Sequence, residues 1–284
     1  MKIIECPRDA MQGLHDFIPT EEKAAYLNQL LKVGFDTIDF GSFVSPKAIP
    51  QLRDTAEVLR QLKLGDSKSK LLAIVANERG AKDAASFSEI RYQGFPLSLS
   101  DTFQQRNTNK SIDEALDTVA SIQEICLPVN QKLVVYLSMG FGNPYGDPYD
   151  TSYISAFVQK LDRLGITIIS LADTIGVATP EIISNVFPKV QSAYPHIEFG
   201  AHLHSNLATA IEKVKAAYEA GCRRIDSAIL GIGGCPMAKD ELVGNLATET
   251  LLGFLSDTEL TGDIDQSAWS ESLRQASMLF DKYN

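Results

Sequence analysis

No apolar run in the 284-residue chain approaches the ~20 residues that a membrane-crossing helix needs. Cations are scarce as well: 26 Lys and Arg stand against 36 Asp and Glu, for a formal charge of -10. Nucleic-acid partners call for a basic face, so that balance argues against them. The four cysteines, Cys6, Cys126, Cys222 and Cys235, form no CxxC pair and show no secreted-domain spacing. They read as reduced thiols of a cytosolic-type compartment, which excludes a zinc knuckle or a disulfide framework. No GxGxxG follows the first apolar run, and the main signature of a dinucleotide fold goes with it. There is no signal or Arg-rich transit segment ahead of Lys2, and a cytoplasmic location is the expectation.

What is present is a regular alternation of short β-rich runs and longer amphipathic stretches. Strands are expected at Lys2 to Glu5, Phe35 to Phe40, Leu71 to Val75, within Ile90 to Leu99 (Pro96 marking its end), Leu133 to Ser138, Ile166 to Leu171, Ile197 to Leu203 and Arg224 to Ala228. Helices are expected between them, at Thr20 to Val33, Pro50 to Leu64, after Asn77, from Ser111, at Thr151 to Leu164, from Pro180, at Leu207 to Ala220 and around Ala247 to Leu255. Eight βα units imply a parallel sheet, and eight closing on themselves imply an α/β TIM (β/α)8 barrel. With no linker or low-complexity segment, residues 1–284 read as one domain. A helical tail from about residue 258, carrying Trp269, would cap the barrel or join an oligomer interface.

Barrel enzymes build their chemistry at the C-terminal ends of strands, and the reactive residues fall there. Arg8 and Asp9, with Gln12 behind them, follow the first strand; a carboxylate there suits a hard cation and a guanidinium an oxyanion. A surface salt bridge is the plainer reading of that pair. His202 and His204 lie two apart at the end of the seventh strand, so their rings share a face. Two histidines facing an aspartate make a divalent-metal constellation. After the eighth strand, Gly231-Ile232-Gly233-Gly234-Cys235-Pro236 describes a loop able to bring a thiol over a substrate. An inert cysteine beside a structural turn, or a phosphate-cradling loop, are the other readings. Asn245 offers an amide oxygen to a metal or a helix cap. Asp39 and Asp173 add carboxylates at the ends of strands two and six.

Four segments together resemble the hydroxymethylglutaryl-CoA lyases, within the wider group of metal-dependent barrel lyases and acyl-CoA condensing enzymes. They are Ser42-Phe43-Val44-Ser45-Pro46-Lys47, Ser170-Leu171-Ala172-Asp173-Thr174-Ile175-Gly176-Val177, the Gly231–Pro236 loop, and Gly244-Asn245-Leu246-Ala247-Thr248-Glu249. The resemblance runs from Pro7-Arg8-Asp9 to about Leu252. It implies that Asp9, His202, His204 and Asn245 bind Mg2+ or Mn2+, that Arg8 stabilises an enolate, and that Cys235 closes over the substrate. Asp39, Asp173 and Glu249 match acidic positions of the site; Gln12, Ser42 and Lys47 are the residues expected to bind substrate or cofactor, Lys47 as a cationic anchor for the coenzyme at the rim. Asp39 stands where the lyases usually carry Glu, Ala10 where they carry Gly, and Ser205 where an acidic residue usually follows the second histidine.

The reaction so implied is cleavage of 3-hydroxy-3-methylglutaryl-CoA to acetyl-CoA and acetoacetate, a step of leucine degradation. The hydroxyl proton would go to Asp39, Asp173 or a metal-bound water. A condensing acyltransferase of the isopropylmalate or homocitrate synthase kind, a lyase for another 3-hydroxyacyl-CoA, and a non-catalytic ligand-binding barrel are the alternatives. A homodimer is expected from the habit of such barrels.

Overall fold

A computed structural model of the chain describes residues 1–234, 243–258 and 263–283. Eight parallel strands close in sequence order: β1 Lys2–Glu5, β2 Thr37–Ser42, β3 Lys70–Ile74, β4 Ile90–Ser98, β5 Lys132–Ser138, β6 Ile168–Ala172, β7 Glu198–His202 and β8 Arg224–Ser227. The β8–β1 pairing, Ile3 opposite Ile225, completes the ring. Outside it run α1 Pro7–Gln12, α2 Thr20–Leu30, α3 Thr55–Arg60, α4 Glu78–Ala85, α5 Asp101–Thr108, α6 Ile112–Cys126, α7 Thr151–Arg163, α8 Pro180–Ala193, α9 Ala210–Glu219, α10 Thr248–Ser256 and α11 Gln266–Tyr283. This is the TIM barrel expected from the alternation.

Local chemistry explains the element ends. Ser111 and Glu114 form a capping box at the start of α6, and Asp150 caps α7 through the Tyr153 N–H at 2.8 Å. The strands are buried on both faces, as parallel sheets under helices must be; every residue of β6 is buried. One apolar layer, including Phe40, Leu71, Leu171 and Phe199, lies between strands and helices. A second fills the barrel interior with Leu72, Tyr92, Val134, Tyr136 and Ile168. Trp269 of α11 meets Phe35 edge-on at 6.3 Å and Phe280 meets Tyr26 at 6.1 Å, so the tail covers the N-terminal end of the barrel beside α2.

Three expectations need correction. Pro96 does not end β4, which continues to Ser98. Leu99 N donates to Ser138 O and backbone directions alternate along a strand, so the Pro96 nitrogen faces the β3 side. There β3 pairs only as far as Gly94, and no ladder donor is missed. The helix expected over Pro50 to Leu64 is a 3-10 turn at Pro50–Leu52 followed by the short α3. Asp54, between the two pieces, is tied to Lys23 at 2.7 Å and to Thr20 at 2.7 Å. Finally, α1 and α5 were not expected; at six and eight residues they are too short to leave a periodic signature.

Candidate active site

Alternation along the strands puts Glu198, Gly200 and His202 on one face of β7, and Arg224 and Asp226 on one face of β8, all toward the barrel axis. At Gly200 a Cβ would come within 3.0 Å of the Arg224 side chain, so the glycine leaves room for a wholly buried guanidinium. Above that layer the interior becomes polar, ending in a cluster of metal-capable side chains.

Arg8 and Asp9 lie not on the strand but in α1, where Pro7 sets the first helical turn. Asp9, His202 and His204 each aim one ligand atom into a common space, all within 4.8 Å of one another. The two Nε2 atoms of the histidines are 3.2 Å apart. Asn245 joins them through an antiparallel bridge to His204, with its Nδ2 2.7 Å from Asp9 Oδ2 and 2.9 Å from Ile232 O. A half-turn of that amide would present its oxygen to the same point at no steric cost. The glycine loop passes directly above: Gly233 has φ +99°, and a Cβ there would sit 2.7 Å from Asn245 Nδ2 and 2.8 Å from Asp9 O.

The electrostatics suit a cation. Burial and the neighbouring His202 hold His204 down at about 3, so its ring is neutral with a lone pair available. Burial would raise Asp9, but Arg8, His202, His204 and Asn245 together outweigh it and keep the carboxylate ionised, at about 2. His202 is also desolvated, yet the hydrogen bond and charge of Asp226 carry it above its ordinary value. Asp226 Oδ2 lies 3.2 Å from His202 Nδ1, the partner that orients a metal-binding imidazole from behind. For His204 the corresponding bond is to the Thr174 backbone, so the Ser205 departure costs that ring no orienting partner. Two imidazole lone pairs and a carboxylate converging on one point fit a divalent cation.

Arg8 is held by four hydrogen bonds to three side chains. Its Nε–H and one Nη2–H go to Asp39 Oδ2 at 3.0 and 2.6 Å, and Nη1 goes to Asp9 at 2.7 Å and Gln12 at 2.8 Å. One Nη2–H remains uncommitted among the described residues. Burial pushes Asp39 up to about 6 against the pull of Arg8. A pocket of about 280 Å³ opens here, with Arg8, Asp9, Gln12, His202, His204 and Tyr136 on its polar side. Val44, Ala48, Ile49 and Phe103 form its apolar side. A depression of about 420 Å³ on the opposite end of the barrel, around Lys2, Glu198 and Arg223, holds none of these groups.

Other expected residues stand further off. Asp173 is wholly buried behind the pocket, held by Lys213 Nζ at 2.8 Å and the Ala178 N–H at 2.9 Å. Glu249, in the first turn of α10, accepts the Leu230 N–H at 3.1 Å and so braces the start of the glycine loop. Ser42 accepts the Val44 N–H at 3.1 Å, within the loop that lines the pocket. Lys47 is exposed on that same loop. Cys235 lies outside the described residues. Sequence reading missed Asp226 and Tyr136; no local signal marks either before the strands lie side by side.

The HMGL-like family model matches residues 2–277. A hydroxymethylglutaryl-CoA lyase of Bacillus subtilis is 31% identical over 261 residues, covering 91% of this chain and 85% of that protein. A 3-hydroxy-3-isohexenylglutaryl-CoA/hydroxymethylglutaryl-CoA lyase of Pseudomonas aeruginosa is 30% identical, covering 98% and 92%. Among solved structures, an HMG-CoA lyase from Acinetobacter baumannii, in complex with coenzyme A and 3-methylmalate, superposes with a TM-score of 0.90 at 31% identity, covering 98% of this chain and 90% of that one.

Proposed function

The chain belongs to the HMGL-like family, and from that premise we propose that it is a divalent-metal-dependent carbon–carbon lyase splitting 3-hydroxy-3-methylglutaryl-CoA into acetyl-CoA and acetoacetate. The observation that carries the reading is the convergence of Asp9, His202 and His204 within 4.8 Å at the floor of a pocket that Arg8 also lines. Relatives named as lyases of this substrate, and a similar structure with coenzyme A bound, support it.

Asp9, His202, His204 and Asn245 are the residues that would hold Mg2+ or Mn2+. Bound there, the cation supplies Lewis-acid polarisation of the substrate's tertiary hydroxyl and carboxylate oxygens. Arg8, fixed by Asp39 and Gln12, keeps its one free Nη2–H for the thioester oxygen, where negative charge grows as the C–C bond breaks; such a donor is worth about 10²–10³ in rate. Of the two carboxylates suggested for the hydroxyl proton, Asp39 is better placed. It contacts Arg8 at the pocket, and burial carries it to about 6, whereas Asp173 faces Lys213. The Gly231–Gly234 segment, packed on Asn245, is the hinge that would carry Cys235 across the mouth and exclude water. Lys47 would meet the phosphates of the coenzyme at the rim, and Ser42 would hold the rim loop in place.

A single catalytic domain, a homodimer, a cytoplasmic location and a role in leucine breakdown complete the reading. Light scattering tests the dimer. The deciding assay is release of both products from hydroxymethylglutaryl-CoA with Mg2+ or Mn2+ present and then chelated. Fast, chelator-sensitive release of both supports the proposal; release unaffected by thorough chelation would end it.

A further inference from the structure

His202 has a second side. Its Nε2 edge faces His204, while its Nδ1 edge faces Asp226. Cys6, in the turn between β1 and α1, stands close by: Cys6, His202 and Asp226 each offer a ligand atom, all within 4.8 Å of one another. Two of these groups are under-engaged. Among the described residues, Asp226 Oδ1 is buried without a hydrogen-bond partner, and Cys6 Sγ has a single hydrogen bond, to the Ile4 carbonyl at 3.5 Å. A buried carboxylate oxygen left unmatched is costly and calls for a partner.

We infer that Cys6, His202 and Asp226 form a second cation site, selective for a thiophilic d10 dication such as Zn2+ or Cd2+, back to back with the Asp9–His202–His204 site. The chemistry of the two donor sets separates their cations. Oxygen and imidazole donors accept Mg2+ or Mn2+, whereas a thiolate with imidazole and one carboxylate prefers a softer ion. A zinc-type ion held by these three donors would stand about 2.0–2.3 Å from each of them. Burial first, and then the carboxylates of Asp226, Asp39 and Asp9 against the pull of Arg8, raise the Cys6 thiol above its ordinary value. With burial, they discourage a bare thiolate, and the same charges attract the dication that would replace its proton.

Occupation of this site engages Asp226 Oδ1 and the Nδ1 edge of His202, which breaks the Asp226 Oδ2–His202 Nδ1 contact and draws on the ring from behind. Thiophilic cations therefore inhibit the enzyme by withdrawing a ligand of the reactive centre. That consequence rests on the lyase reading; occupancy itself does not.

The test is a Cd2+ titration of the full chain, followed by thiolate-to-Cd2+ charge-transfer absorption in the ultraviolet without substrate. It is repeated for Cys6→Ser, Cys6→Ala and Cys235→Ser, each checked by circular dichroism. The expected result is one band per chain that survives Cys235→Ser and is lost in both Cys6 variants. In the lyase assay, Cys6→Ser is expected to raise the half-inhibitory Cd2+ concentration at least about tenfold. A band lost in Cys235→Ser but kept in a folded Cys6 variant overturns the proposal, as does no band in the wild type. Should both Cys6 variants misfold, Asp226→Asn weakens the band's Cd2+ affinity at least about tenfold with both thiols present, and an unchanged affinity overturns it. If the band behaves as expected but no lyase activity exists, the site stands and only the lyase reading falls.

Discussion

Lys213→Met puts the wall behind the histidines to a quantitative test. Lys213 is buried and donates to Asp173 Oδ2 at 2.8 Å, Gly176 O at 2.9 Å and His204 O at 2.7 Å. Its partner carboxylate is fully inaccessible. Removing the ammonium strands an ionised Asp173 in the interior and should cost about 3–5 kcal/mol. Asp173→Asn alone removes one charge and keeps an acceptor for the Ala178 N–H, but leaves the ammonium unmatched. In the double variant both charges are gone, and the loss should fall short of the sum of the two single losses by a coupling of about 2–3 kcal/mol. Burial already lifts the Asp173 carboxyl above its ordinary value despite Lys213. Without Lys213 it rises further, so the folded single variant keeps a proton that the unfolded chain releases above about 3.9. Its deficit should then be smaller at pH 4.5 than at pH 7, because stability falls as pH rises through that window. Urea denaturation followed by circular dichroism measures all four proteins at both pH values. Additive losses in the double variant would refute the idea that Asp173 is held as one half of a buried pair.

Further outcomes follow from the same geometry. Asp9→Asn or His202→Ala should abolish stoichiometric Mn2+ binding and turnover with the far-ultraviolet spectrum unchanged; metal retained at one per chain would count against the assigned ligands. Asp226→Asn should weaken Mn2+ affinity by about 10–100-fold in calorimetry, since it acts only through His202; unaltered affinity would remove its orienting role. Arg8→Met should lower kcat by about 10²–10³ with a smaller change in KM, and equal loss in binding and rate would point to ground-state binding instead. Burial lifts Glu5 to about 8 from 4.5, so between those values the folded protein holds a proton the unfolded chain has lost, and stability declines as pH rises. Glu5→Gln, able to serve Ile229 N and Thr248 as the neutral acid does, should flatten that decline in denaturation curves from pH 5 to 8.5; parallel curves would contradict it.

Much of the site was legible because strand chemistry is local. The His202-Leu203-His204 spacing places two rings on one side, and its position after an apolar run puts them at a strand end. The glycines at 231, 233 and 234 announce a loop; Gly233 shows why one is needed, with φ +99° and with Asn245 and Asp9 where a Cβ would stand. Asp226 was not legible, since a lone aspartate in a strand has no local mark until β7 and β8 lie side by side. The same holds for Asp173: its sequence neighbourhood suggests the pocket, and only the fold brings Lys213 across to claim it.

The order and type of the eight βα units follow from the sequence by itself, because hydrophobic periodicity and end-capping act over a few residues. It also determines which residues stand at the strand ends, since those ends follow the apolar runs. Tertiary structure alone decided what those residues face. Barrel closure pairs β8 with β1, which brings Asp9 to Asn245 across 236 positions of chain and Cys6 to Asp226. It decided, too, that Arg8 is clamped by Asp39 and that Glu249 braces a loop rather than lining the pocket. Such pairings depend on distance through space and on burial in a low-dielectric interior, and neither is written in any stretch of adjacent residues.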